Sequence, residues 1–247
     1  MLGRLKLRKA KSIAVSRLDA VVRRATRFMP WKPKRRGRLF DTFIFYNELD
    51  LLELRLEELW DVVDVFVLVE ATKTHRNNPK PLFFEENKAR YERYLSKIRH
   101  IVVSDLPDGP SPWPREDHQR DAIMQGLDDL RRRDRVMVSD VDEFPPASSA
   151  GLLGGYRQLR SDYYLNTVKA EPWFGTRCAT GNEILGGLTP NTMRKIRKHR
   201  PIVKDGGWHF SFVGDPEFIA SKLKAFSHAE LDTPEYAALD KIADRMR

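Results

Sequence analysis

Residues 39–247 predict an α/β domain with a mostly parallel sheet flanked by helices. Short apolar runs alternate with helical patterns, the second run is apolar almost throughout, and an acidic cluster closes the fourth run. Residues 40–46, rich in aromatic and β-branched side chains, predict the first strand. Leu49, Leu52, Leu56 and Leu59 then step by three and four, which predicts a helix, with Asn47 as its N-cap and Glu48 and Asp50 in its first turn. Residues 63–69 form a nearly continuous apolar run, the pattern of a strand buried on both faces. Residues 98–103 predict a third strand and 135–139 a fourth. Between them, residues 117–133 predict a helix with Ala122, Ile123, Leu127 and Leu130 inward. This order of elements argues for a parallel sheet. Beyond Pro145 the pattern weakens: a strand over 163–168 and helices over 216–226 and 234–246 are the readable elements.

Charge divides the chain in two. Residues 1–38 hold 14 Lys/Arg and one acid, whereas residues 39–247 hold 30 basic and 34 acidic residues. The net charge of +9 therefore belongs to a tail, and the body is mildly acidic. A nucleic-acid binder would spread its basic residues over the folded surface, so nucleic acid is not the expected partner. Within the tail, Ala14, Leu18, Val21, Val22, Ala25, Phe28 and Met29 share one helical stripe bordered by arginines, and Pro30 and Pro33 end it. This basic amphipathic helix reads either as an anchor on an anionic membrane surface or as a solvated tail, with 34–38 as linker. No apolar stretch approaches the ~20 residues that span a bilayer, and no signal peptide is evident. Cys178 is the only cysteine, so no intrachain disulfide forms. The expected location is cytoplasmic, peripheral at the inner face of a membrane.

Ligands of parallel sheets bind beyond the C-terminal strand ends. Asp140 and Asp142 stand at such an end and, in an extended chain, project to one side, a hard-oxygen site suited to Mn²⁺ or Mg²⁺. The same spacing also occurs in solvated turns. His209, between Trp208 and Phe210, is either a core histidine or a third metal ligand. Arg120 offers a guanidinium fork to a diphosphate, and Glu70, Lys73 and His75 follow the second strand where a nucleotide would lie. No phosphate-binding glycine loop and no nucleophile elbow is present.

Five blocks in order resemble glycosyltransferase family 17, which includes the β-1,4-mannosyl-glycoprotein 4-β-N-acetylglucosaminyltransferases. They are Asp41 to Leu56, Val69 to Thr72 with Lys80 to Leu82, Glu116 to Ile123, Ser139 to Pro145, and Gly207 to Ser211. The resemblance implies a GT-A-like, Rossmann-type fold, UDP-N-acetylglucosamine as donor, a divalent metal and inversion at the sugar. It places Asp140, Asp142 and His209 at the metal and the donor diphosphate, Arg120 and Asp121 at phosphates or sugar, and Glu70 near the nucleoside. The proton-accepting base falls to Glu143, Glu171 or Asp205. This chain departs from the family at Phe210, where a cysteine is usual, and in its basic N-terminal helix. A glycan or lipid-linked acceptor at a membrane is the expected partner. The rival classes are a metal-dependent phosphatase and a non-catalytic adaptor with a transferase-like body.

Overall fold

The structure is a computed structural model that describes residues 37–162 and 171–246. The amphipathic helix and most of its linker, and the strand expected over 163–168, lie outside the described residues. Arg38, read as the end of the linker, is tied into the body: its backbone N–H donates to Asp134 Oδ1 at 2.8 Å and its guanidinium pairs with Asp129 and Asp134.

Four strands form the parallel half: β1 (Leu39–Phe45), β2 (Val65–Ala71), β3 (Ile98–Val103) and β4 (Arg135–Asp140). Helix α1 (Leu49–Leu59) joins β1 to β2. The spatial order β3-β2-β1-β4 reverses direction between β1 and β4. This is the Rossmann-type order, and its reversal opens a crevice where ligands bind. The register sets Ile44 beside Asp140 at the rim of that crevice.

The apolar runs are continuous because each face of the sheet has its own core. Phe43, Phe45, Phe66, Leu68 and Met137 face one core with Leu52, Leu56 and Leu59 of α1. Phe40, Val67, Val69, Val136 and Val138 face the other with Ile123 and Leu127. Neighbours in sequence thus fall on opposite faces, the period of two of a strand.

Three expectations are corrected. The N-cap of α1 is Glu48, not Asn47. The Glu48 carboxylate turns back to accept from the backbone N–H groups of Tyr46 and Asn47. The helix expected over 117–133 is α2 (Trp113–Asp121) followed by a 3₁₀ stretch, Ala122–Leu127. Pro114 starts it early, since the first turn needs no donor there. A Cβ on Gly126 would lie 2.4 Å from Val67 Cγ1, so the chain lies too close to β2 for another side chain there. The last helix is broken at Ala238, whose extended backbone separates Pro234–Ala237 from Leu239–Arg245.

The second half of the sheet is mixed. Strand β5 (Glu143–Phe144) follows a tight turn, then β6 (Gly154–Asp162), β7 (Trp173–Thr180), β8 (Ile202–Val203) and β9 (Trp208–Ser211). β7 lies antiparallel to β4, β6 antiparallel to β7, and β9 parallel to β6. Helices α3 (Gly181–Leu185) and α4 (Pro190–Lys195) follow β7. Helix α5 (Pro216–Ala225), capped by Asp215, packs Ile219 and Leu223 on Ile242 in a small third core.

A fully buried ion pair lies under the β4–β5 turn. Arg55 of α1 is wholly buried, and its Nε and Nη2 donate to the two Asp41 oxygens at 2.8 and 2.6 Å. Nη2 also reaches Ser139 Oγ at 2.7 Å. Nη1 donates to the carbonyls of Asp140, Val141 and Glu143 at 2.8, 3.2 and 3.1 Å. Removing one member of a buried pair strands the other, at about 3–5 kcal/mol. Arg55→Met is therefore expected to lose about that much stability in urea denaturation, and Arg55→Met with Asp41→Leu to regain part of it. An unchanged urea midpoint for the single variant would contradict this account.

Candidate active site

The crevice at the β1/β4 reversal opens into a cavity of about 730 Å³. Its walls come from the ends of β1, β2 and β4, from α2, α4 and α5, and from the C-terminal end of β9. The acidic cluster lines its floor.

Asp140 lies between two guanidiniums, with Arg194 Nη2 at 2.7 Å from one oxygen and Arg120 Nη2 at 3.0 Å from the other. Burial opposes its charge, but Arg194 and Arg120 outweigh burial and hold the carboxyl well below the usual range. Glu143 is wholly buried. It accepts from Arg194 at 2.6 Å, from Trp173 Nε1 at 2.5 Å and from the backbone N–H of Asp140 at 3.0 Å. Burial pushes this carboxyl up too, and Arg194 again outweighs it. Gly175 leaves it room, since a Cβ there would lie 2.2 Å from Glu143 Cδ.

Asp142 meets α5. Lys222 Nζ donates to Asp142 Oδ2 at 2.8 Å and pairs with Glu48 Oε1 at 3.0 Å. Burial disfavours the ammonium, but Asp142 and Glu48 together raise its pKa above the ordinary lysine value. On the other side stands His209, whose Nε2 is 3.9 Å from Asp142 Oδ1. Pairing of β5 with β9 sets Glu143 opposite His209. The imidazole stacks on Trp173 at 4.6 Å, and its buried Nδ1 has no hydrogen-bond partner among the described residues.

Ligand atoms of Asp142, Glu143 and His209 come within 4.8 Å of one another. The expected metal set was Asp140, Asp142 and His209; the structure brings Glu143, rather than Asp140, together with the other two. Residues 141 and 142 form a turn, so the alternation of an extended chain does not carry through them. Asp140 turns to the arginines instead, and Glu143 converges on Asp142 rather than facing away. Two carboxylates and an imidazole are a fitting donor set for Mn²⁺.

The other expected residues divide. Lys73 and Arg120 line the cavity, as does His75, which burial pushes toward the neutral form despite Glu116 nearby. Glu70 does not line it: the Phe84 N–H, Lys80 and His100 occupy its buried carboxylate. Asp121 holds α4 through Asn191 and likewise stays outside the lining. Glu171 and Asp205, expected as bases, are exposed and outside the cavity. Asp205 precedes β9, whereas the cavity lies at the other end of that strand. The sequence reading missed Arg194, Lys222, Glu48, Glu116, Asp117 and Trp173, all of which line the cavity. A basic run after the Thr189-Pro190 cap was the one signal for Arg194; nothing pointed to Lys222.

The sequence profile of glycosyltransferase family 17 matches residues 17–171. The chain belongs to that family. The match takes in the parallel half and the acidic turn; the Trp208-His209 block lies beyond it. Over 167 residues the chain is 26% identical to the human β-1,4-mannosyl-glycoprotein 4-β-N-acetylglucosaminyltransferase and 32% identical to the rat protein. Each alignment covers 64% of this chain and 31% of the relative, so the shared part is about a third of the relatives' length. Among solved structures, a mannosyltransferase from Pyrobaculum calidifontis in complex with GDP-Man and Mn²⁺ aligns at a TM-score of 0.43 and 14% identity, over 97% of this chain and 79% of that one. No helix among the described residues is long and apolar enough to cross a membrane.

A ligand that binds only the folded state at a hundred times its Kd adds about 2.7 kcal/mol. Saturating Mn²⁺ is thus expected to raise the melting temperature of the protein and to leave that of His209→Ala unchanged, while Asp121→Ala keeps the shift. An equal Mn²⁺ shift in His209→Ala would count against this ligand set.

Proposed function

We propose that this protein is a metal-dependent inverting glycosyltransferase that moves a sugar, N-acetylglucosamine, from a UDP-sugar to a hydroxyl of a glycan or glycolipid. The observation that carries the proposal is the Asp142–Glu143–His209 group, set in a cavity at the sheet's reversal point in a family 17 chain. The cavity falls within the ~300–1,000 Å³ of small-molecule sites. Asp142, Glu143 and His209 would hold Mn²⁺ or Mg²⁺, which would offset charge on the leaving diphosphate. Lys73, beyond β2, lines the donor side, and among the described residues its ammonium has only Asn77 as a partner, at 3.2 Å. The same reading makes residues 1–38 an anchor on anionic lipid and puts the acceptor at a membrane.

Inversion needs one in-line displacement, with a carboxylate taking the proton of the acceptor hydroxyl. Glu143 is the only one of the three expected bases that lines the cavity. Its bonds to Arg194 and Trp173 lower its basicity, which suits a ligand better than a base. Asp117 also lines the cavity, and its carboxylate makes no hydrogen bond or ion pair among the described residues. Asp117 takes the base role in this reading. Tyr46, Trp173 and Phe226 around the cavity exclude water and so limit hydrolysis of the donor.

The test is UDP release over a panel of UDP-sugars with candidate acceptors, with and without Mn²⁺. Metal-dependent release with UDP-N-acetylglucosamine is expected. Asp117→Asn is expected to lower kcat by about 10²–10⁴-fold with unchanged UDP affinity. No release with any UDP-sugar would sink the proposal, and full turnover by Asp117→Asn would remove the base assignment alone.

A further inference from the structure

The cavity has a second cationic wall, separated from Lys73 by the acidic turn. It is built by α4 and the segment after it, beside β7. Arg194, Lys195 and Arg197 all line the cavity, and Lys198, His199 and Arg200 continue the basic run on the surface. Arg194 is consumed by Asp140 and Glu143. Lys195 and Arg197 are not consumed in this way. Lys195 is exposed and has no acidic partner within 4 Å among the described residues. Arg197 is half-buried, and its hydrogen bonds go to two carbonyls, Phe174 O at 2.5 Å and Arg194 O at 2.6 Å. Its guanidinium also lies 5.9 Å from the centre of the Trp173 ring, the ring stacked on His209. Burial and the neighbouring Arg194 disfavour its charge by more than Glu143 and Asp140 favour it.

A cation held part-buried beside another, with only neutral oxygens as hydrogen-bond partners among the described residues, has room for a negative partner. A bound anion would be that partner, and guanidinium forks suit phosphate oxygens. The place of this wall decides which anion. In the sheet order β3-β2-β1-β4-β7-β6, Lys73 follows β2 and the α4 wall packs on β7, with the acidic turn at the end of β4 between them. The donor's nucleotide belongs on the β1–β2 side, where a Rossmann-type half binds it. The α4 wall is therefore left to the other substrate.

We propose that Lys195 and Arg197 form a subsite for an anionic group, a phosphate ester, on the acceptor. The inference rests on the transferase reading and narrows its acceptor to a phosphorylated sugar rather than a neutral glycan. Trp173 would lie beside the acceptor sugar, between the α4 cations and the metal group.

The probe is glucose 1-phosphate, compared with glucose, bound to the full chain by calorimetry with and without saturating UDP and Mn²⁺. The sugar phosphate is expected to bind in both conditions and glucose to bind far more weakly. Arg197→Gln with Lys195→Gln is expected to weaken sugar phosphate binding about tenfold or more, as lost charge-assisted bonds do, while UDP affinity stays the same. Lys195→Glu, at an exposed position, provides a variant that leaves the buried contacts alone, and it too should weaken the phosphate. Equal binding of glucose and glucose 1-phosphate overturns the proposal. So does displacement of the sugar phosphate by UDP, or a loss of UDP affinity in the double variant, since either gives these cations to the donor diphosphate. Sugar phosphate binding by a protein that fails to bind UDP would uphold the subsite and sink the transferase reading instead.

Discussion

Arg55 sits at the point where the two halves of this protein meet. Its guanidinium is held by Asp41 of β1 and bonds three carbonyls of the turn that joins β4 to β5. A buried ion pair is seldom a source of net stability, because desolvation cancels much of the attraction. What this one supplies is geometry. By gathering the carbonyls of Asp140, Val141 and Glu143 around one cation, it fixes a tight turn in which consecutive acids point to different partners. Asp140 is sent to Arg120 and Arg194, Asp142 to Lys222 and His209, and Glu143 to Arg194 and Trp173.

The mixed half closes the site. β9 brings His209 against Glu143, and β7 brings Trp173 against both. Two helices distant in sequence then supply cations: Arg194 from α4 and Lys222 from α5. Each acid of the cluster is thereby oriented by cations: against burial, Arg194 holds Asp140 and Glu143 below the usual carboxyl range, whereas burial raises Asp142 despite Lys222. Two buried nitrogens of the site, His209 Nδ1 and Arg120 Nε, have no hydrogen-bond partner among the described residues.

The parallel half was legible because strands buried on both faces leave nearly unbroken apolar runs, as in 63–69. The acidic turn was legible as a place, at a strand end, but not as a geometry: strand periodicity stops at residue 140, so Asp140 and Asp142 meet different partners. β6 and β7 were hidden by buried polar residues. Gln158 is buried to bond Thr176 and the Gly175 N–H, so the alternation that marks a strand is missing there. Glu70 misled in the opposite sense. A carboxylate at a strand end reads alike whether it faces a ligand or, as here, holds the Phe84 N–H and Lys80 of the following loop. Lys222 could not be found at all, since a lysine on an amphipathic helix carries no mark of the distant acids it will meet.

The central claim is that the turn pinned by Arg55 makes a metal-dependent donor site, and that Asp142 is a ligand in it. Calorimetric titration of UDP into the protein, with Mn²⁺ and then with chelator, in the natural chain and in Asp142→Ala, tests this most directly. The account predicts UDP binding that needs Mn²⁺ and is lost in Asp142→Ala. Equal UDP affinity in chelator, or in Asp142→Ala, would contradict it.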